Sequence, residues 1–322
     1  MTTFQNSDDW ELIHSFDSTA VRDLAWSLLS PPLLSEQLCS WPTLLQEKEE
    51  IRDWLRQQAA APTSLETHLS ERPTRRLGLY FESLWSFFLR HYEGVELLAE
   101  NLQIHRQKRT LGEFDYVYRE RRSQRLVHME LAVKFYLGVP TAEQQSPSPW
   151  HQWIGPSCRD RFDLKLNKLL TRQTRLAEIP EGREALDSLG VRGEEVQMWV
   201  GGVLFQPSPS LFADFPLPVD TWPLLQTGYW TRWSDFVASF DEFPDTWRWE
   251  LLERLRWLAP PSHPASHSPS SLPSALWELL DKWKQPVQVM AMKEQGGRWW
   301  EAQRWFVTPD SWPDPSILVE PL

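Results

Sequence analysis

Cysteine is nearly absent from this chain: Cys39 and Cys158 are the only two in 322 residues. Two isolated thiols supply neither a disulfide framework nor a zinc-ligand spacing, so the expected setting is reducing and cytoplasmic. Long apolar runs are missing as well. No stretch approaches the ~18 apolar residues of a membrane span. The first residues lack a basic segment followed by an apolar core, so neither a membrane partner nor a signal peptide is expected. Positive charge is in the minority, with 33 Lys and Arg against 44 Asp and Glu and a net charge of −11. That argues against indiscriminate coating of nucleic acid, because phosphate affinity comes from clustered cations, but it leaves room for a local basic groove. No internal repeat, Gly-rich phosphate loop or Gly-x-Ser-x-Gly elbow stands out.

What the chain does carry is a hairpin with an unusual polar face, LGEFDYVYRERRSQRLVHMELAVKFYL at 111–137. With period two, Glu113 and Asp115 point one way from the first strand, and Phe114 and Tyr116 the other. On the second strand His128, Glu130, Ala132, Lys134 and Tyr136 share a face. Val127, Met129, Leu131, Val133 and Phe135 share the opposite, wholly apolar one, which must be buried and so fixes the register. Adjacent strands lie roughly 5 Å apart, which puts three carboxylates, a histidine and a lysine within reach of one divalent cation. A solvated hairpin with its charges in water is the plain alternative. Against it, the second strand runs on into FYLG, apolar on both faces, and amphipathic helices bracket the hairpin, so the charge cluster is expected inside a cleft.

GEFD on one strand, followed by an acidic residue and a lysine on the next, resembles the PD-(D/E)XK nuclease superfamily, in particular its branch of recombination nucleases and resolvases. The longer string, with ELAVKFYLG and GPSCRDRFDLKLNKLLTRQTRL, is similar to an uncharacterised bacterial family of unknown function grouped with that superfamily. The superfamily resemblance spans roughly residues 75–205, and the other most of the chain. It implies a restriction-endonuclease-like core and Mg²⁺ or Mn²⁺ as cofactor. Asp115 matches the metal-binding aspartate, and Lys134 the lysine that steadies the attacking water and phosphate charge. The second carboxylate of the motif sits two residues before that lysine, where this chain has Ala132. Glu130, on the same face, stands in for it. Glu113 and Glu82, the latter on the helix before the first core strand, are further metal-ligand candidates; a salt-bridged boundary glutamate is the alternative for Glu82. Gln173 resembles the helix glutamine placed near the metal by recombination-type nucleases, although the accompanying tyrosine is not in the family's position.

Around this hairpin the chain divides into five parts. Residues 1–74 read as a helical extension, with Ser18 and Thr19 as N-cap candidates, Pro31-Pro32 as a stop, a second amphipathic segment at 44–60 and a polar connector at 61–74. Residues 75–206 form the core: a helix at 76–93, a strand at 95–105, the hairpin, a polar loop, a helix at 158–177 and a buried strand at 196–206, where Gly201-Gly202 marks a bulge or close backbone approach. Residues 207–258 are an aromatic-rich connector with a helix toward its end. Residues 259–275 are a Pro/Ser linker, whose His263 and His267 are not read as ligands. Residues 276–322 hold a helix and a terminal hairpin. The helix at 158–177 carries Arg159, Arg161, Lys165, Lys168, Arg172 and Arg175, the densest basic patch in an acidic chain. It reads either as a phosphate-contacting wall or as a solvated helix with pairs to Asp160 and Asp163.

The expected fold class is therefore α/β (α+β), a mixed sheet flanked by helices. The expected function is metal-dependent phosphodiester hydrolysis of nucleic acid, DNA before RNA. The alternative is a non-catalytic module on a degenerate nuclease scaffold, binding nucleic acid or a protein through the N-terminal helices or the C-terminal half, where most of the 20 tryptophans fall.

Overall fold

The computed structural model describes residues 7–141, 144–263 and 271–314. Part of the expected polar loop (142–143) and the middle of the expected Pro/Ser linker (264–270, with His267) lie outside the described residues. Four helices come first: α1 (Asp8–Ser15), α2 (Thr19–Leu29), α3 (Lys48–Ala60) and α4 (Thr63–Ser70). α2 starts after an extended Ser18, but that hydroxyl does not cap the helix. It donates instead to Glu66 on α4 (2.9 Å). The segment expected to be a connector at 61–74 thus contains a helix, held by packing of its buried Leu65 rather than by amphipathic pattern.

α5 (Leu77–His91) lays Leu77, Phe81, Leu84, Trp85 and Phe88 into the core, as its spacing predicts. Next come β1 (Val95–Arg106), β2 (Arg109–Glu120), β3 (Leu126–Gly138) and the two-residue β4 (Trp153–Ile154). Two helices follow, α6 (Phe162–Lys168) and α7 (Pro180–Ser188), then β5 (Glu195–Pro207), β6 (Thr227–Arg232) and α8 (Trp233–Ala238). The chain continues with β7 (Arg248–Leu252), α9 (Leu272–Trp283), β8 (Val287–Gln295) and β9 (Arg298–Thr308). All nine strands form one sheet, in the order β1-β2-β3-β5-β6-β9-β8-β7, with β4 paired to β3. β3, β5, β6 and β9 run parallel, and the flanking strands antiparallel, so the sheet is mixed. The terminal hairpin turns at Gly296 and Gly297, both at positive φ, as a tight two-residue turn requires. Through β9 it continues the core sheet.

Three expectations are corrected. The stretch read as a helix near 247–258 is strand β7 followed by a short 3-10 turn at Arg254–Arg256, because β8 supplies a pairing edge. The helix expected at 158–177 begins only at Phe162, since Cys158 takes a left-handed backbone, and after Lys168 it widens into a π turn over Leu169–Gln173. On β2, Phe114 packs with Val117 in one cluster and Tyr116 with Tyr118 in another. The expected common face of Phe114 and Tyr116 is thus lost, at the point where β2 parts from β3.

The odd-numbered face of β3 is buried as expected. Val127, Met129, Leu131, Phe135 and Leu137 join the largest apolar cluster, shared with α1–α5. Gly202 lies opposite Lys134 on β5 at φ +144, and a Cβ there would sit 1.8 Å from the Lys134 carbonyl oxygen. The close approach expected at Gly201-Gly202 is therefore real. One guanidinium ties the helical layer to the far end of the chain. Arg22, 2% exposed, donates to the carbonyls of His14, Phe16, Pro260 and Pro261. Beside it Asp23 accepts the Ala259 amide (3.1 Å), and Trp26 donates to Gln226 (3.1 Å).

Candidate metal and phosphate site

The site is created by the end of a β ladder. β2 and β3 pair from Arg119–Leu126 as far as Tyr116–Met129 and then separate, while β5 follows β3 along its other edge to Leu137. The next amide on the freed edge, Leu131 N–H, is taken by a side chain: Asp115 Oδ2 accepts it at 2.8 Å. Asp115 and Glu130 each lie one residue past the last pair, Tyr116–Met129, so two carboxylates share the opening. Both are buried, Asp115 at 8% exposure and Glu130 at 0%.

Apolar packing frames the opening on either side. Phe114 meets His128 edge-on at 4.6 Å, and Tyr136 stacks on Phe162 of α6 at 4.7 Å. The polar groups of β3 lie along the same face between those contacts. Glu130 is held at both oxygens: His128 Nε2 lies 2.8 Å from Oε1, and Gln173 Nε2 donates to Oε2 at 2.6 Å. Lys165 Nζ in turn donates to Gln173 Oε1 at 3.2 Å. The π turn makes this chain of contacts possible. In a regular helix of about 100° per residue, two side chains eight positions apart diverge by about 80°. The extra residue absorbed by the turn, where Thr174 N–H bonds back to Leu169 O, brings Lys165 and Gln173 onto one face.

The carboxyls resist ionising together. Burial pushes Asp115 up to about 7, reinforced by Glu130 and Glu113 and opposed by the Leu131 amide and Lys165. Burial also raises Glu130 to about 7, against the pull of Lys165 and Gln173. Glu82 on α5 is raised to about 7 by burial and then by Asp115 and Glu113. Lys165 is lowered by burial and by Lys134, and steadied by Asp115. Burial lowers His128 to about 4, so it is neutral near pH 7. With Glu130 ionised, it donates from Nε2 and leaves Nδ1 buried without a partner.

Sequence reasoning thus brought together Asp115, Glu130, Glu113, Glu82 and Gln173. Lys165, expected on a phosphate-contacting wall beside the cleft or on a solvated helix flank, is the cation that draws on both Asp115 and Glu130. Lys134 is on the expected face, but its ammonium is bound by Asp160, which also accepts the Tyr136 hydroxyl at 3.1 Å. Asp160 was missed as a site residue because it lies on a loop whose approach no spacing reveals. Of the remaining basic residues, Arg161 is 5% exposed and paired with Asp163 at 2.6 Å. Arg175 is exposed and paired with Glu178 at 2.8 Å. Arg159, Lys168 and Arg172 are exposed along the approach to α6 and the π turn.

Among the described residues, no group of three or more His, Cys, Asp and Glu is placed to hold a metal ion. The donor chemistry fits a narrower possibility. Two hard carboxylates suit a hydrated Mg²⁺, which keeps several waters and commonly takes only one or two protein carboxylates. They do not suit zinc, which favours nitrogen and sulfur. Glu130 would have to exchange one of its present donors for the ion. No helix among the described residues is long and apolar enough to cross a membrane.

A family model described as Domain of unknown function (DUF1853) matches residues 22–308. No curated protein and no solved structure matches the chain, and nothing in these comparisons ties it to the PD-(D/E)XK superfamily.

Proposed function

The chain belongs to the DUF1853 family, which brings no activity with it, and from that premise we propose that it is a metal-dependent phosphodiester hydrolase of nucleic acid. The observation that carries the reading is the buried Asp115–Glu130 pair at the end of the β2–β3 ladder, with both carboxyls raised to about 7. Such crowding is unfavourable without a compensating cation, and perturbed carboxyls beside a lysine are the pattern of a working site.

Asp115 and Glu130 would hold Mg²⁺ or Mn²⁺, with Glu82 and Glu113 adding negative potential. The ion, when bound, supplies Lewis acidity to the phosphate and to an attacking water. The protein's own groups do the rest. His128 fixes the orientation of Glu130, and Gln173 yields its bond to Oε2. Lys165, released from Gln173, stabilises the charge that develops on the phosphate. Lys134 is steered by Asp160 to the same side. Arg159, Lys168 and Arg172 hold the strand's backbone without reading its sequence. DNA is the first substrate to try.

A second reading, a non-catalytic nucleic-acid- or protein-binding module, is favoured by two observations: Glu130 has both oxygens satisfied by protein donors, and Lys134 is already paired. One experiment separates the two. Calorimetry with Mn²⁺ and Mg²⁺ at about pH 8 is combined with cleavage of labelled DNA and RNA, using wild type, Asp115→Asn and Glu130→Gln. The hydrolase reading expects stoichiometric binding and cleavage that both variants lose. Wild type that binds no divalent cation, or variants that cleave as wild type does, would falsify it.

A further inference from the structure

The divergence that opens the carboxylate site has a second product. Past Tyr116–Met129, β2 and β3 no longer pair, yet the pairing of β2 with β1 runs on to Arg106–Arg109. The two strands therefore leave the body of the sheet as a ribbon. Its apolar side chains, among them Leu102, Ile104, Leu111 and Phe114, pack against Leu186 of α7 and Val191. That backing makes the ribbon a stiff arm.

The tip of the arm is basic and bare. His105 to Thr110 are all exposed. Arg106 is held by Glu181 at 3.0 Å, but the side chains of Lys108 and Arg109 have no hydrogen-bond or ion-pair partner among the described residues. Between them and Arg106, Gln107 takes a left-handed backbone (φ +56) that glycine adopts more easily. Two uncompensated cations at the end of a rigid arm stand out in a chain of net charge −11.

Further basic side chains lie between the tip and the site. Leu176, just beyond the π turn, packs so closely on Gly112 of β2 that a Cβ there would lie 3.2 Å from its Cδ1. The exposed Lys168 and Arg172 thus belong to the segment that borders the ribbon. Two carboxylates of the same region are already engaged, Glu181 by Arg106 and Glu178 by Arg175 at 2.8 Å. From Asp115 to Arg109 the strand advances six residues, or roughly 20 Å at about 3.4 Å each. Phosphates follow one another at about 3.4 Å along each strand of a duplex, so the tip stands roughly six base pairs from the carboxylate pair.

We propose that the β1–β2 arm grips the phosphate backbone of duplex DNA about six base pairs from the Asp115–Glu130 pair, with Lys108 and Arg109 each meeting a phosphate. DNA has a persistence length of about 150 base pairs, so over this span it is a stiff rod that a fixed arm and a fixed site can hold together. Contacts of this kind set position and carry no sequence preference. The proposal rests on the reading of the carboxylate site as one for nucleic acid, and it gives the arm a part in positioning, not in chemistry.

The experiment is fluorescence anisotropy of a labelled DNA duplex of about 16 base pairs, titrated with the full chain in a chelator over a series of salt concentrations. The variants are Lys108→Gln with Arg109→Gln, and, as a control for net charge, Lys282→Gln with Lys293→Gln, exposed positions toward the other edge of the sheet. Thermal unfolding checks that both pairs fold as wild type does. Wild type should bind. The arm variant should bind more weakly, with a log–log salt slope shallower by about 2, and the control should keep the wild-type slope. A wild type that does not bind the duplex overturns the proposal. So does an arm variant with the wild-type slope, or a control that loses as much as the arm variant. Metal is left out, so a failure to bind divalent cations or to cleave, which would end the hydrolase reading, does not alter this result.

Discussion

Replacing Asp115 by asparagine should stabilise the protein, and increasingly so as pH rises. The Asp115 carboxyl goes from an ordinary 3.8 to about 7 on folding, chiefly through burial and then through Glu130. Each pKa unit is worth ~1.4 kcal/mol, so the ionised form carries a penalty of at most ~4 kcal/mol above pH 7. Because the folded-state pKa is the higher one, the folded protein holds its proton longer than the unfolded chain does. Stability is therefore lost as pH rises between the two values and stays low above the upper one. Asparagine is neutral throughout, and its side-chain oxygen still accepts the Leu131 amide that Asp115 accepts at 2.8 Å. Allowing for relaxation, Asp115→Asn should gain about 2–3 kcal/mol at about pH 8.5 in a chelator and only about 1 kcal/mol at about pH 5, where just over a third of the interval between the two pKa values has been crossed. Urea unfolding at the two pH values measures the difference. A gain that is the same at both, or a loss at the higher pH, would refute the electrostatic account. Added Mg²⁺ should then raise the wild-type midpoint and leave that of the variant unmoved.

Lys165→Met should drive Asp115 and Glu130 further upward and move the onset of Mn²⁺ binding to higher pH. Titration of binding against pH checks this, and a larger displacement in Lys134→Met would reverse the roles given to the two lysines. Gly202→Ala should cost on the order of 3 kcal/mol or more in denaturant unfolding, since the new Cβ meets the Lys134 carbonyl at 1.8 Å; a cost below about 1 kcal/mol would mean that β3 and β5 separate easily. Glu301→Ala should cost about 3–5 kcal/mol, because Glu301 and Arg304 form an ion pair with both side chains at 0% exposure and the arginine would remain uncompensated. Melting at the wild-type temperature would show that the carbonyls of Trp257 and Leu258 suffice for Arg304.

The hairpin was legible because its pattern is one-sided. Val127 to Phe135 leave no choice of buried face, and with the register set, Asp115 and Glu130 had to meet. The rest was hidden for particular reasons. Residues 248–252 sit in WRWELLERLRWL, whose apolar positions satisfy a helical period as well as an extended one, and only the β8 edge decides between them. The π turn after Lys168 inserts one residue without any mark in the sequence, so the contact of Lys165 with Gln173 could not be read from helical spacing. Asp160 reaches Lys134 from a loop, and loops carry no period from which an approach can be read.

The Arg22 guanidinium has a consequence for the order in which the chain can be finished. Its acceptors include Pro260 and Pro261, more than 230 residues further on, and Asp23 and Trp26 await Ala259 and Gln226. On a ribosome, α2 emerges long before residues 226 and 259–261, so this part of its bonding is completed only much later. Until then Arg22 has only the carbonyls of His14 and Phe16, and Asp23 only the Tyr80 hydroxyl. Contacts of such long range are paid for in loop closure before they return anything, which makes them slow to form. An early segment is thus among the last to be fully locked, and a chain truncated before residue 259 would hold α2 more loosely however complete its central strands were.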